Sequence, residues 1–141
     1  MKIDLKSFCA HKGMTPRRKY IESPWSEGDY TYATDGRIIV RIPRDRNIPE
    51  NGDCPDAERL FKQVNKEGVY KSIPHLPKKD KAGPNKKGFT EKTEFQKATF
   101  DNYYLNLIAS LPNAQMVAND KEGAAHFKFD GGDGLLMPMR I

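Results

Sequence analysis

The chain has 141 residues, 37% hydrophobic and 30% charged, which is enough for one folded domain with a modest core. Its 24 Lys and Arg residues outnumber 19 Asp and Glu residues, and this excess favours an anionic partner such as nucleic acid. No apolar run is long enough to span a membrane, the start MKIDLKSFCA lacks a signal-peptide pattern, and Cys9 and Cys54 have no zinc spacing. We therefore expect a cytoplasmic protein with reduced thiols, no membrane partner and no metal or other cofactor.

The chain opens on a predicted strand, MKIDL, which leads into a predicted helix near residues 4–12. Leu5, Phe8 and Cys9 stand at helical i, i+3 and i+4 spacing, and Gly13 ends this pattern. The following segment RRKYIES is closed by a Ser-Pro pair and has the composition of a second strand.

The segment DYTYATDGRIIVRIP gives the clearest local pattern in the chain. Strand-forming residues flank the pair Asp35-Gly36 on both sides, and glycine accepts the positive φ that a tight turn needs. The segment therefore predicts a β-hairpin whose second strand ends at Pro43.

Residues 45–92 differ in character from the segments on either side. The stretch DCPDAERLFKQVNK predicts a helix near 55–65, capped by Asp53, with one apolar face made of Ala57, Leu60, Phe61 and Val64. The stretch IPHLPKKDKAGPNKKG is rich in proline, glycine and lysine, and it predicts an exposed basic loop.

Regular structure is predicted again from residue 93 onward. TEFQKATF is interpreted as one strand, and DNYYLNLIASLP as a helix near 101–111 with Asp101 or Asn102 as its cap. Three final strands, AQMVAND, AAHFKFD and GLLMPMR, are separated by the turns NDKEGA and DGGDG.

The predicted order is therefore β-α-β-β-β, an insertion, and β-α-β-β-β again. This order predicts a single α+β domain over residues 1–141, with two antiparallel four-stranded sheets and a helix in each half. The insertion at about 45–92 adds the third helix and the basic loop.

Two short motifs resemble the bacterial DNA polymerase III beta sliding clamp, a processivity factor of DNA replication. ATDGRII at 33–39 is similar to a hairpin motif of the clamp's middle domain, and LMPMRI at 136–141 is similar to its closing strand. The resemblance covers roughly 1–44 and 93–141, and it implies a DNA-clamp-like fold. A clamp chain has three such domains and closes a ring with a second chain, whereas this chain has one.

In the clamp family, these two motifs line a hydrophobic pocket for peptides of DNA polymerases and repair proteins. The resemblance implies a peptide site made of Thr34, Gly36, Arg37, Ile38, Met137, Pro138, Met139 and Arg140. Because the family's motifs meet across a domain junction, we expect them to complete no pocket within one chain. A head-to-tail homo-oligomer would then bring them together. The plainer alternative is that LMPMRI is only the last strand of the core.

Two groups of basic residues are candidates for contacts with duplex DNA. Each could place a cation on a phosphate, although a solvated surface is the alternative for both. The groups are Arg17, Arg18 and Lys19, and Lys78, Lys79, Lys81, Lys86 and Lys87.

No catalytic arrangement is apparent, because Asp29, Asp35 and Asp45 lack the spacing of a metal-dependent nuclease and no nucleophile motif occurs. We therefore expect a non-enzymatic accessory module of DNA replication or repair. The alternative is a regulatory interaction protein, of phage or mobile-element type, that mimics or blocks clamp-partner binding without encircling DNA.

Overall fold

The computed structural model describes residues 3–11, 20–74 and 91–139 of the chain. These residues form an α+β structure, as predicted. Its strands are β1 (Trp25–Glu27), β2 (Tyr30–Thr34), β3 (Ile38–Pro43), β4 (Lys71–Ser72), β5 (Lys92–Phe95), β6 (Ala98–Asp101), β7 (Gln115–Val117), β8 (Ala125–Phe129) and β9 (Gly132–Leu136). The helices are α1 (Ala57–Gln63), α2 (Asn102–Ala109) and a 3-10 turn, Leu5–Phe8. Among the described helices, none has the length and apolar character needed to cross a bilayer.

Seven of the strands form one antiparallel sheet in the order β1-β2-β3-β9-β8-β7-β4, and β5 and β6 form a separate hairpin. The predicted pair of four-stranded sheets is therefore wrong. Two three-stranded meanders, β1–β3 and β7–β9, join where β3 pairs with β9, with Ile38 opposite Leu136. The strands β3 and β9 each bury apolar side chains on both faces, so neither could serve as a solvent-exposed edge.

Several local predictions are confirmed. The helices predicted near 55–65 and 101–111 are α1 and α2, the hairpin is β2–β3, and the last three strands are β7, β8 and β9. Asp101 caps α2 by accepting a hydrogen bond from the backbone N–H of Tyr103 at 2.9 Å. The cap of α1 is Asp56 rather than Asp53, because Asp56 lies directly before the first helical residue.

Other local predictions are wrong within the described residues. The helix predicted near 4–12 is only the 3-10 turn, residues 3–4 form no strand, and residues 20–22 lie in a helical turn. TEFQKATF is a hairpin instead of one strand, because Gln96 adopts a positive φ of 53° and Phe95 pairs with Ala98.

The sheet has a separate apolar cluster on each of its two faces. One cluster joins Ala33, Val40, Phe127 and Leu136 to the buried hydrophobic side chains of α2, which are Tyr104, Leu105 and Ile108. The other joins Trp25, Tyr32, Ile39 and Leu135 to Ala57 and Phe61 of α1. The insertion therefore contributes a helix that covers one face of the sheet.

The end of the described chain is attached to its surroundings by two backbone hydrogen bonds. Met137 N–H donates to the carbonyl of Arg37 at 2.9 Å, and Met139 N–H donates to the carbonyl of Thr99 at 2.8 Å. Within the described residues, strand pairing stops at Leu136, so the strand predicted over GLLMPMR is wrong for residues 137–139, and Arg140 lies outside the described residues. Pro138 has no N–H to offer, which explains why the bonds skip a residue.

Candidate peptide-binding groove

The loop between β2 and β3 is fixed by side-chain hydrogen bonds from Thr34 and Asp35. The Thr34 hydroxyl donates to the carbonyl of Ile38 at 2.6 Å and accepts from the N–H of Gly36 at 3.1 Å. One Asp35 oxygen accepts from the N–H groups of Arg37 and Ile38, at 2.9 and 3.2 Å. Gly36 has a φ of 100°, so glycine is required there. The TDGR segment is thus a turn held by four side-chain hydrogen bonds, in which Thr34 and Asp35 are buried and Gly36 and Arg37 are exposed.

A buried tyrosine of the helix α2 also supports this turn. The Tyr104 hydroxyl of α2 donates to the second Asp35 oxygen at 2.6 Å. Burial, followed by the negative charge of Asp35, raises the pKa of Tyr104 well above its ordinary value, so this hydroxyl stays protonated and remains a donor. The sequence alone does not reveal this pair, because 69 residues separate its members.

We expect Tyr104→Phe to destabilise the fold by about 1–2 kcal/mol, because a buried carboxylate oxygen loses its donor. Urea denaturation followed by circular dichroism measures this loss. Tyr103→Phe, on the half-buried face of the same helix, is the matched control. Equal stability of Tyr104→Phe and wild type would show that the hydroxyl does not support the turn.

The turn forms one side of a groove with a volume of about 580 Å³. Thr34, Gly36, Arg37 and Ile38 line it together with Met137. Met137 of the terminal motif therefore meets the hairpin motif within one chain, against the expectation, although Pro138 and Met139 of that motif do not line the groove. The reason is the pairing of β3 with β9, which places the end of β9 beside the β2–β3 turn.

The insertion and the loop after β7 supply further lining residues of the groove. Leu60, Gln63 and Val64 of α1 and its C-terminal end line the groove, as do residues of the 119–124 loop. The apolar helical pattern in the sequence correctly assigned Leu60 and Val64 to one face, but it gave no sign that this face borders a groove. The sequence interpretation missed this wall.

Exposed apolar side chains are concentrated at this groove. Within residues 3–11, 20–74 and 91–139, the large hydrophobic side chains classed as exposed are Leu60, Met137 and Val69. Leu60 and Met137 are 46% and 45% exposed, and both line the groove, whereas Val69 lies outside it. Two half-exposed apolar side chains that line one groove favour an apolar ligand there.

Other predicted site residues lie elsewhere or outside the described residues. Pro138 and Met139 follow Met137 but do not line the groove. Arg140 and all of the predicted DNA-binding residues lie outside the described part of the chain; these are Arg17, Arg18, Lys19, Lys78, Lys79, Lys81, Lys86 and Lys87.

No protein-family model, no curated protein and no solved structure matches this chain. The clamp relationship therefore stays a prediction that rests on two short motifs.

A polar network crosses the same face of the sheet, away from the groove. Asp133 of β9 accepts hydrogen bonds from Arg41 Nε at 2.7 Å and from His126 Nε2 at 2.8 Å. The His126 Nδ1 atom lies 2.7 Å from the Tyr70 hydroxyl, which donates to it when the imidazole is neutral. Burial favours a higher pKa for Asp133, but the bonds from His126 and Arg41 outweigh burial and lower it. Asp133 is therefore a charged link between β3, β8 and β9.

Proposed function

We propose that this chain is a non-catalytic binding module that holds a short apolar segment of a partner protein in the groove. The observation that carries this proposal is the meeting of the turn residues, the exposed Leu60 and the exposed Met137 in one concave surface. Methionine is unbranched and polarizable, so a wall that contains Met137 can adapt to more than one apolar side chain.

The partner segment, in this proposal, is of the type by which DNA polymerases and repair proteins hold a sliding clamp. The motifs ATDGRII and LMPMRI support this choice, since both contribute residues to the groove. The protein would then act as a clamp-like accessory module in DNA replication or repair.

The second candidate function is regulatory: the chain would occupy clamp-binding peptides without encircling DNA. The completion of the groove within one chain favours this candidate, because peptide binding then needs no ring. A mass measurement in solution, with and without duplex DNA, separates the two candidates, since a ring around DNA requires several such domains.

The proposal predicts that a double variant, Leu60→Ala with Met137→Ala, weakens peptide binding about tenfold or more. Truncating one apolar anchor at a binding hot spot costs about 2 kcal/mol, and here two anchors are lost. The probe is a fluorescein-labelled polymerase segment that carries a clamp-binding motif, titrated with the protein and followed by fluorescence anisotropy. Both positions are half exposed, so we expect the fold to survive the changes.

Val69→Ala is the matched control, because Val69 is 69% exposed and lies outside the groove. Its affinity for the peptide is expected to equal that of wild type. Peptide binding that is unchanged in the double variant, or lost to the same degree in the control, would refute the proposal.

A further inference from the structure

A second cleft, with a volume of about 420 Å³, lies between β2, β3 and the helix α1. Charged side chains make up much of its lining, whereas the peptide groove is mainly apolar. Val64 is the residue that the two linings share. The cleft is lined by Tyr30, Arg41, Glu58, Phe61, Lys62, Val64 and Lys66.

Arg41 is held in one orientation at the base of this cleft. Its guanidinium carbon lies 4.3 Å from the centre of the Tyr30 ring and 3.9 Å from that of Phe61. Nε and Nη2 donate to the two oxygens of Asp133, at 2.7 and 3.3 Å. A guanidinium has five N–H donors in a planar fork; Asp133 takes two of them and the Tyr32 hydroxyl is a further hydrogen-bond partner of Arg41, which leaves two donors for an anion. The aromatic rings and Asp133 thus orient a cation that is only 12% exposed.

Cations outnumber carboxylates around the cleft. Arg41, Lys62 and Lys66 line it, against the single carboxylate of Glu58, and they remain in excess when Asp133 is added. Glu58 contacts Lys62 at 3.6 Å, but both side chains are more than half exposed, so this ion pair holds Lys62 only weakly. Lys62 is therefore able to turn toward an anion.

We infer that this cleft binds the phosphate group of a phosphoester. The N–H donors of Arg41 that Asp133 and Tyr32 leave free suit phosphate oxygens, and Lys62 and Lys66 add mobile charges at the rim. The apolar rings of Tyr30 and Phe61 reduce the competition from water. The same chemistry fits a free phosphoester and the backbone of a nucleic acid, and the test separates these two sources.

The test compares wild type with a Lys62→Ala, Lys66→Ala double variant, using calorimetric titration of inorganic pyrophosphate in a phosphate-free buffer. Both lysines are exposed, so we expect their removal to leave the fold intact. Arg41 is left unchanged because it also joins β3 to Asp133. Wild type is expected to bind pyrophosphate. The variant is expected to bind it at least about tenfold more weakly, since two charged donors are lost.

The matched control is Lys97→Ala with Lys121→Ala, which removes the same charge from exposed positions outside the cleft. A second titration uses a labelled single-stranded oligonucleotide with pyrophosphate as competitor. Displacement of the bound oligonucleotide by pyrophosphate supports the nucleic acid as the source of the phosphate. Pyrophosphate binding without oligonucleotide binding supports a free phosphoester. Absence of pyrophosphate binding to wild type, or equal weakening in both double variants, would overturn the inference.

Discussion

Gly134→Ala is expected to reduce the free energy of unfolding by about 3 kcal/mol, because it would overpack a buried part of the sheet. Gly134 lies on β9 opposite Val40 of β3 and Phe127 of β8. A Cβ atom there would overlap the buried Phe127 ring and lie 2.5 Å from the carbonyl oxygen of Ile39. The Phe127 ring is fully buried and the carbonyl belongs to the sheet, so we expect the β3–β9 junction to shift.

Chemical denaturation monitored by circular dichroism measures this effect. Gly52→Ala is the control, because a Cβ atom at Gly52 would have no neighbour within 4 Å. If Gly134→Ala is as stable as Gly52→Ala, then β9 does not pair between β3 and β8 as described.

Asp133→Asn is expected to cost about 3 kcal/mol, because removing one partner of a largely buried ion pair leaves the other charge without compensation. The Arg41 side chain is 12% exposed and that of His126 is 7% exposed, and both donate to this carboxylate. The asparagine amide carries no charge, and its NH₂ group would face a donor.

The contribution of Asp133 to stability is expected to fall at low pH. Hydrogen bonds from His126 and Arg41 lower the pKa of Asp133 in the folded chain below its ordinary value of 3.8. Its contribution to stability is therefore complete above the unfolded pKa and is lost as the pH falls through the folded pKa. The difference between wild type and Asp133→Asn is expected to be constant near pH 7 and to narrow below about pH 4.

Urea denaturation at a series of pH values tests this prediction. Asp53→Asn, at an exposed position, controls for the loss of one negative charge. A difference that persists undiminished at low pH, or that Asp53→Asn reproduces, would show that the network does not depend on the charge of Asp133.

Local structure was predictable where the sequence carries a local cause. Asp35-Gly36 indicated the hairpin, because a turn depends on residues next to one another, and Asp101 indicated the start of α2. The last three strands were predictable because alternating apolar residues and turn sequences separate them clearly.

The arrangement of the strands was not predictable in the same way. A repeated order of elements is compatible with two separate sheets or with one continuous sheet, and the choice depends on which strands bury both faces. Ile38 and Ile39, and Leu135 and Leu136, are pairs of neighbours that point to opposite faces, and all four are buried. Burial on both faces makes β3 and β9 central strands, but the sequence does not show that these two strands pair with each other.

The candidate groove was predictable in part. The two motifs named the turn residues and Met137, but the sequence could not show that they meet in one chain, because this depends on the β3–β9 pairing. The contribution of α1 depends equally on tertiary packing. The hydrogen bond from Tyr104 to Asp35 was not predictable either, because the residues around each of them give no sign that the two meet.

The central claim is that one chain completes a groove for an apolar peptide, and nuclear magnetic resonance of labelled methyl groups tests it most directly. The unlabelled polymerase peptide is titrated while the mass of the protein is measured at the same concentrations. We expect the methyl signals of Leu60, Val64 and Met137 to shift with added peptide, those of Val69 to stay in place, and the mass to remain that of one chain with one peptide. Shifts confined to residues outside the groove, or shifts that appear only as the mass rises to that of an oligomer, would contradict the claim.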